Sequence, residues 1–283
     1  MRILITGGKG RLGSTLAQRL EHKHTVTAID QDDLDISDFD HTRAFITEKQ
    51  PNIVINTAAW TDVDGCAREP EKAIAINGYG AQNVSIAALE SNAAIVQVST
   101  NEVFDGTRNA PYMEYDNRAA INAYGKSKII GERGAAAVNP RHYIVRTAWL
   151  FAHGGKNFIQ AILNVAELGK SLRVVTDEVA NPTYTDDLAD AIIQLIATGR
   201  YGTYHLTNNG ACSRYNFARY ALDRAGYADV PIQPISSREW VRASIPPTYA
   251  ALQNNAAKTV GITLRDWTEA VDAFLQKEGL FRA

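Results

Sequence analysis

The chain has 283 residues, 45% of them hydrophobic and 21% charged, with a formal net charge of −2. That is enough chain to bury one α/β core and a smaller lobe. The near-neutral balance without a basic run excludes a nucleic-acid or membrane-surface binder, and no apolar stretch approaches the ~18 residues of a membrane span.

In chain order, residues 3–6 form an apolar run that opens directly into glycines. Leu12, Leu16 and Leu20 then recur at four-residue spacing, the stripe of a helix. Thr25–Ile29 reads as the next strand, 39–49 as a helix and 53–57 as a buried strand. Residues 70–89 read as one long helix with Pro70 at a permitted first-turn position. A strand at 95–100, a helix at 124–137 and a strand at 143–147 follow. Such alternation predicts a parallel sheet covered by helices on both faces.

The second half is less regular. Helices are expected at 158–168, at 186–197 with Thr185 as cap, from Ser213 through Ala225, and at 267–276. Short strands are expected at 172–175 and 203–206, and Pro231, Pro234, Pro246 and Pro247 cluster late. The expected architecture is a Rossmann-type, doubly wound α/β fold with a smaller C-terminal substrate lobe. Residues 1–150 form the dinucleotide-binding domain, its sheet completed by parts of 157–206. The lobe takes 207–283 with parts of 150–185.

Cys66 and Cys212 stand far apart and indicate no disulfide framework, which fits a reducing, cytoplasmic compartment. The first strand starts at Arg2, so no charged-then-apolar leader is expected. The histidines show no metal-ligand spacing; His22 and His24 sit in a polar connection and are expected to be solvated. No metal is expected.

The run Thr6-Gly7-Gly8-Lys9-Gly10-Arg11-Leu12-Gly13 follows a strand and opens a helix, with Gly7, Gly10 and Gly13 three residues apart. This pattern lets backbone turn tightly and approach a pyrophosphate, with the amides of the helix N-terminus facing its charge. A tight turn without a ligand is the simpler alternative, and the strand-turn-helix context argues against it. Asp30 ends the second strand, where an acid can accept bonds from the adenosine ribose hydroxyls and repel a 2′-phosphate. NAD is therefore favoured on charge grounds, although Arg11 could reach a phosphate. An ordinary loop acid among Asp32, Asp33 and Asp35 is the competing reading of Asp30.

Tyr124 and Lys128 lie four apart at the start of a helix and share a face. A nearby ammonium favours the phenolate, so the tyrosine is expected to exchange a proton nearer neutral pH. The strand at 95–100 ends in Ser99-Thr100, where a hydroxyl could meet that tyrosine.

These features resemble the extended short-chain dehydrogenase/reductase family, and within it the dTDP-4-dehydrorhamnose reductases. The matching stretches include residues 5–13, 56–64, 99–106, 124–132, 146–149, Asn157-Phe158 and 181–185. The resemblance implies Thr100, Tyr124 and Lys128 as catalytic residues and NADH or NADPH as cofactor. It places Gly10, Arg11 and Leu12 at the cofactor phosphates, Asp30 at the adenosine ribose, and Asp35 and Ile36 beside the adenine. Ala58, Ala59, Trp60 and Thr61 would line the cofactor path, with Tyr124 and Lys128 also touching the cofactor. Thr61, Val63, Thr100, Asn101, Trp149 and Asn157 would meet a nucleotide-sugar substrate, with Pro182 and Thr183 near its dTDP moiety. Plain core packing is the alternative for Trp149. The implied reaction is reduction of the C4 keto group of dTDP-4-dehydro-6-deoxy-L-mannose, by a monomer or homodimer.

The family often has Asp-Tyr after the threonine, where this chain has Asn101-Glu102, and its late segment reads Pro246-Pro247-Thr248-Tyr249. Related dehydratases carry an Asp-Glu pair at the first of these places, and Asn101 cannot serve as its acid. Glu102 is expected to be either a substrate-side hydrogen-bonding group or a solvated loop acid. Ser14 and Thr15 offer no carboxylate for the metal that some members hold. Two other readings stay open: another nucleotide-sugar 4-ketoreductase or dehydratase, and a non-catalytic regulator resembling that of methionine adenosyltransferase.

Overall fold

The computed structural model describes residues 1–154 and 157–282. Six parallel strands form its central sheet: β1 (Arg2–Thr6), β2 (Thr25–Ile29), β3 (Ile53–Asn56), β4 (Ala94–Thr100), β5 (His142–Thr147) and β6 (Gly202–His205). Their order is β6-β5-β4-β3-β1-β2. The winding reverses between β1 and β3, and such a switch point opens a crevice at the carboxyl ends of the strands. The glycine turn after β1 and the loop after β3 therefore flank one cleft.

The helices that build the core and the cleft are α1 (Arg11–Leu20), α2 (Phe39–Lys49), α3 (Val63–Arg68), α4 (70–90), α5 (Ala123–Val138), α6 (Phe158–Glu167), α7 (Thr185–Thr198), α8 (Arg214–Arg224) and α9 (Trp267–Lys277). On one face of the sheet Ile3, Ile5, Ile53, Ile55 and Val96 pack against Leu12 and Leu16 of α1 and Leu188 and Ile192 of α7. On the other, Leu4, Val54 and Ile95 pack against Ile46 of α2 and Val84 and Ala88 of α4. Successive strand residues point to opposite faces, so a sheet covered on both sides needs continuous apolar runs.

Helix α4 differs from the single regular helix expected over 70–89. Its ends, Pro70–Ala73 and Ala81–Glu90, are α-helical, but Ile74–Gly80 between them is a π-helix. That segment carries Gly78, Gly80 and the buried Asn77, whose amide bonds outside the helix. Hydrophobic spacing does not record such a bulge. Thr185 is the first residue of α7 rather than its cap, and its hydroxyl donates to the Phe151 carbonyl at 3.0 Å.

A second core forms the lobe, where Phe151, Ile159, Leu163, Phe217, Leu222 and Phe274 draw together α6, α8 and α9. Three two-stranded sheets brace it, pairing Leu172–Val175 with Ile232–Ile235, Val179–Ala180 with Cys212–Ser213, and Leu150–Phe151 with Thr183–Tyr184. The chain crosses between the cores repeatedly: α7 and β6 return to the main sheet, as do Ala257, Ile262 and Leu264 late in the sequence. No helix among the described residues is long and apolar enough to cross a membrane.

Candidate active site

The glycine turn is built by backbone approaching backbone. Gly7 takes φ +71°, a Cβ on Gly13 would lie 2.2 Å from the Gly7 carbonyl oxygen, and one on Gly7 would lie 2.8 Å from Ala58 N. Only glycine fits such contacts. Gly10 caps α1 with no side-chain bond, which leaves first-turn amides of the helix facing the cleft. The cleft is a cavity of 920 Å³ running from this turn to the end of β4.

Gly7, Gly10, Arg11, Leu12 and Gly13 line one end of this cavity, with Asp30, Asp35 and Ile36 beside them. The Asp30 carboxylate is held at the rim by the amides of Lys9 and Gln31, each at 2.8 Å. Ala58, Ala59, Trp60 and Thr61 line the middle. Asn77 fixes that loop: its Oδ1 accepts from Trp60 N at 2.7 Å, and its Nδ2 donates to Trp60 O at 3.0 Å and to Ser127 Oγ at 3.1 Å. The sequence reading missed Asn77, because its partners stand 17 and 50 residues away.

At the other end, Thr100, Tyr124 and Lys128 line the same cavity. Thr100 is the last residue of β4, and Tyr124 lies in the first turn of α5, which Asn122 caps through Gly125 N at 2.8 Å. A Cβ on Gly125 would lie 2.0 Å from the Glu102 carbonyl oxygen, so this glycine lets α5 lie against the end of β4. One turn beyond Lys128, the buried Glu132 accepts from Ser99 Oγ at 2.6 Å and from Arg146 Nε at 2.9 Å. Helix α5 is thereby tied to the residue preceding Thr100. Thr147, paired with Thr100 in register, turns into the cavity wall a buried hydroxyl with no partner among the described residues.

The electrostatics depart from the expected phenolate. Burial, and then the negative charge of Glu102, push Tyr124 above its ordinary value, while the Thr100 hydroxyl pulls the other way. Lys128 does not offset them. Its ammonium donates to the Val98 carbonyl at 2.8 Å, and burial lowers its pKa to about 8, with Glu132 opposing. Tyr124 is therefore a protonated donor at neutral pH.

The residues expected at the substrate divide. Thr61, Val63, Asn101 and Trp149 line the cavity. Trp149 adopts φ +40°, sparsely populated for a non-glycine residue, and the guanidinium of Arg214 covers one indole face at 3.6 Å from the ring centroid. Asn157 lines neither this cavity nor the smaller one beside it; its Oδ1 caps α6 and its Nδ2 donates to Ala152 O at 2.8 Å. Thr183 is buried and bonds back to Asn181 O. Glu102 is not a solvated loop acid. It lines the cavity, accepts from Asn122 Nδ2 at 2.7 Å, and burial raises its pKa against the pull of Asn122 and the facing Arg214 and Arg242. Among the described residues, no three His, Cys, Asp or Glu side chains cluster as metal ligands would.

A family model described as the RmlD substrate binding domain matches residues 1–279. The chain belongs to that family. The spore coat polysaccharide biosynthesis protein SpsK of Bacillus subtilis is 37% identical over 277 residues, covering 98% of this chain and 97% of that one. A solved dTDP-4-dehydrorhamnose reductase of Clostridium acetobutylicum is 39% identical and superimposes with a TM-score of 0.95, over 99% of this chain and 100% of that one. The Bacillus anthracis dTDP-4-dehydrorhamnose reductase, solved in complex with NADP, is 35% identical with a TM-score of 0.93, over 98% of this chain and 99% of that one. The family-level resemblance and the Rossmann-type fold read from the sequence therefore stand.

Proposed function

We propose that this chain reduces the C4 keto group of dTDP-4-dehydro-6-deoxy-L-mannose to dTDP-L-rhamnose with NADH or NADPH. The observation that carries this reading is the convergence of Thr100, Tyr124 and Lys128 on a cavity that begins at the glycine turn. Relatives matched over nearly their whole length that bear the name of this reductase support it.

The cavity fits a dinucleotide. Its phosphate end is a cradle that a Cβ on Gly7 or Gly13 would fill, and Thr147 offers an unpaired hydroxyl near the other end. A reduced nicotinamide bound there supplies the hydride. Lys128, with one donor spent on Val98, keeps others for ribose hydroxyls. The Thr100 hydroxyl donates to Asn101 Oδ1 over a long 3.3 Å, a bond it can exchange for the substrate oxygen. Tyr124, kept protonated by burial, gives its proton to that oxygen as the carbonyl becomes an alkoxide.

Elimination of water, as in related dehydratases, finds no acid pair here. Asn101 carries an amide whose Nδ2 is bound to Ala250 O at 3.0 Å, and of the two residues after Thr100 Glu102 alone carries a carboxyl. A purely regulatory protein has no need of the converging trio. The test supplies the epimerised product of dTDP-glucose dehydration and follows NADH or NADPH oxidation, with the product identified by NMR. Stoichiometric dTDP-L-rhamnose is expected. Absence of turnover in a protein that binds the cofactor would overturn the proposal, as would conversion of dTDP-glucose to its 4-keto-6-deoxy product at a comparable rate.

A further inference from the structure

Asn122 lines neither the main cavity nor the smaller one beside it, yet it is buried and lies two residues before Tyr124. A primary amide offers an oxygen acceptor and two N–H donors, and here all of them are engaged. Oδ1 accepts from Gly125 N at 2.8 Å and so caps α5. Nδ2 donates to Glu102 Oε2 at 2.7 Å and to the Ile245 carbonyl at 3.2 Å. The cap bond thus ends on the residue after Tyr124. The bond to Glu102 ends on the residue whose own backbone N donates to Thr100 Oγ1 at 3.2 Å. The bond to Ile245 ends on a late loop, residues 242–247.

Capping alone does not account for this amide. Serine and aspartate satisfy a helix N-terminus as well as asparagine does, and this chain uses both. Asp38 caps α2, Asp62 caps α3 and Ser213 caps α8, each accepting from the backbone N–H three residues on. Asn157 at α6 is also an asparagine, but its amide reaches only the Ala152 carbonyl, five residues away. The donors of Asn122 reach 20 and 123 residues along the chain.

The groups at the far ends need such a donor. Residues 242–247 form no helix or strand, and Pro246 and Pro247 have no N–H to give. The backbone of this segment makes two hydrogen bonds to described residues: Ser244 N donates to Asp64 Oδ1 at 2.8 Å, and Ile245 O accepts from Asn122. The Ile245 side chain is exposed, so its burial does little to hold the segment. Arg242, Pro246 and Pro247 nevertheless wall the smaller cavity, and Glu102 lines both cavities. A carboxylate withdrawn from bulk water needs donors, and among the described residues the Glu102 side chain accepts from Asn122 alone. Glu102 and the Ile245 carbonyl are both acceptors, and without the amino group between them they repel.

We infer that Asn122 is a positioning residue: its amide ties the wall formed by residues 242–247 to Glu102 and to the turn of α5 that carries Tyr124, which keeps the substrate side in register with proton delivery. The inference rests on Tyr124 as the proposed donor and adds what holds that donor against the substrate side.

The test compares Asn122→Ser, which keeps an acceptor for Gly125 N and loses both donors, with Asn122→Ala, which loses every bond. The readouts are kcat for keto-sugar reduction, cofactor affinity by fluorescence, Tm, and hydrogen exchange of the peptide spanning 240–248. Serine is expected to raise Tm over alanine by about 2–4 °C, as a restored cap does. In both variants kcat should stay roughly tenfold or more below wild type, and the 240–248 peptide should exchange faster. Cofactor affinity should hold, because Asn122 touches nothing at the glycine turn. If kcat of the serine variant recovers with Tm to within about threefold of wild type, Asn122 is a helix cap, and the inference falls while the reductase reading stands. Exchange in 240–248 that stays at the wild-type level in Asn122→Ser also overturns it, since the wall then does not depend on the amide. Should alanine fail to fold, the serine variant against wild type decides both points. A wild type that turns over no keto sugar removes the proposed reaction and takes the inference with it.

Discussion

Gly125→Ala tests how closely α5, which carries the proposed proton donor, must approach the end of β4. An added Cβ would lie 2.0 Å from the Glu102 carbonyl oxygen and 2.9 Å from the Ala120 Cβ. Comfortable contact begins near ~3.5 Å, so the first turn of α5 and the 101–103 segment must part by roughly 1 Å or more. Glu102 backbone stands on one side and the Cβ of Ala120 on the other, and neither can rotate out of the way. Tyr124 adjoins Gly125 on α5, and Thr100 lies two residues before Glu102, so the two groups proposed to meet one substrate oxygen move apart. A misplacement of about 1 Å can cost ~10²-fold in rate, and overpacking itself costs about 1–3 kcal/mol of stability. The assay measures kcat for keto-sugar reduction, cofactor affinity by fluorescence, and Tm. A fall of ~10² in kcat is expected, with cofactor affinity nearly kept, because the glycine turn is built from other elements. A folded variant whose kcat stays within about threefold of wild type would refute the claim that this contact sets the catalytic geometry.

Tyr124→Phe keeps the ring and removes the proton donor; turnover should fall ~10²–10⁴-fold with cofactor affinity nearly unchanged, and a variant above a tenth of wild type would place the donor elsewhere. Lys128 has its pKa lowered to about 8, so its cation is present below that pH and lost above it; kcat/KM should decline as pH rises through about 8, and a profile flat to about pH 10, lysine's ordinary range, would contradict this. Asp30 at the rim of the cavity repels a 2′-phosphate, so NADH should serve at least as well as NADPH in kcat/KM, an expectation that a tenfold preference for NADPH would reverse. His205 is fully buried, and burial first and Arg146 second lower its pKa from 6.5 to about 3. It should stay neutral, with Nδ1–H donating to Gln253 O and Nε2 accepting from Arg146; its stabilising contribution is whole above pH 6.5 and is lost as pH falls towards about 3. Imidazole NMR shifts that titrate between pH 7 and 5 would overturn that placement.

Much of the fold was legible because its signals are local. The runs at β1, β3 and β4 are continuous and apolar because the strands are covered on both faces, and Leu12, Leu16 and Leu20 mark the buried stripe of α1. The glycine spacing was legible in part for the same reason: Gly10 and Gly13 answer contacts within the turn, whereas Gly7 answers the loop after β3. The π segment of α4 was not, since what accompanies it is the pairing of Asn77 with Trp60 and Ser127 rather than any periodicity. The cap at Thr185 failed because its hydroxyl found Phe151 O in tertiary space.

By itself the sequence determined the alternation of strands and helices, the turn that can cradle a phosphate, and the tyrosine-lysine pair on one helical face. These follow from spacing along the chain, which fixes periodicity and direction within an element. Only the tertiary structure decided the charge states and the substrate side. Burial and the charge of Glu102 raise Tyr124 where spacing to Lys128 had suggested a fall, and Glu102 faces the cavity because Asn122 and the close approach at Gly125 hold it there. Arg214, Arg242 and Glu178 come together from segments with no common pattern. Desolvation and pairing depend on which distant segments surround a group, and spacing along the chain carries no measure of either.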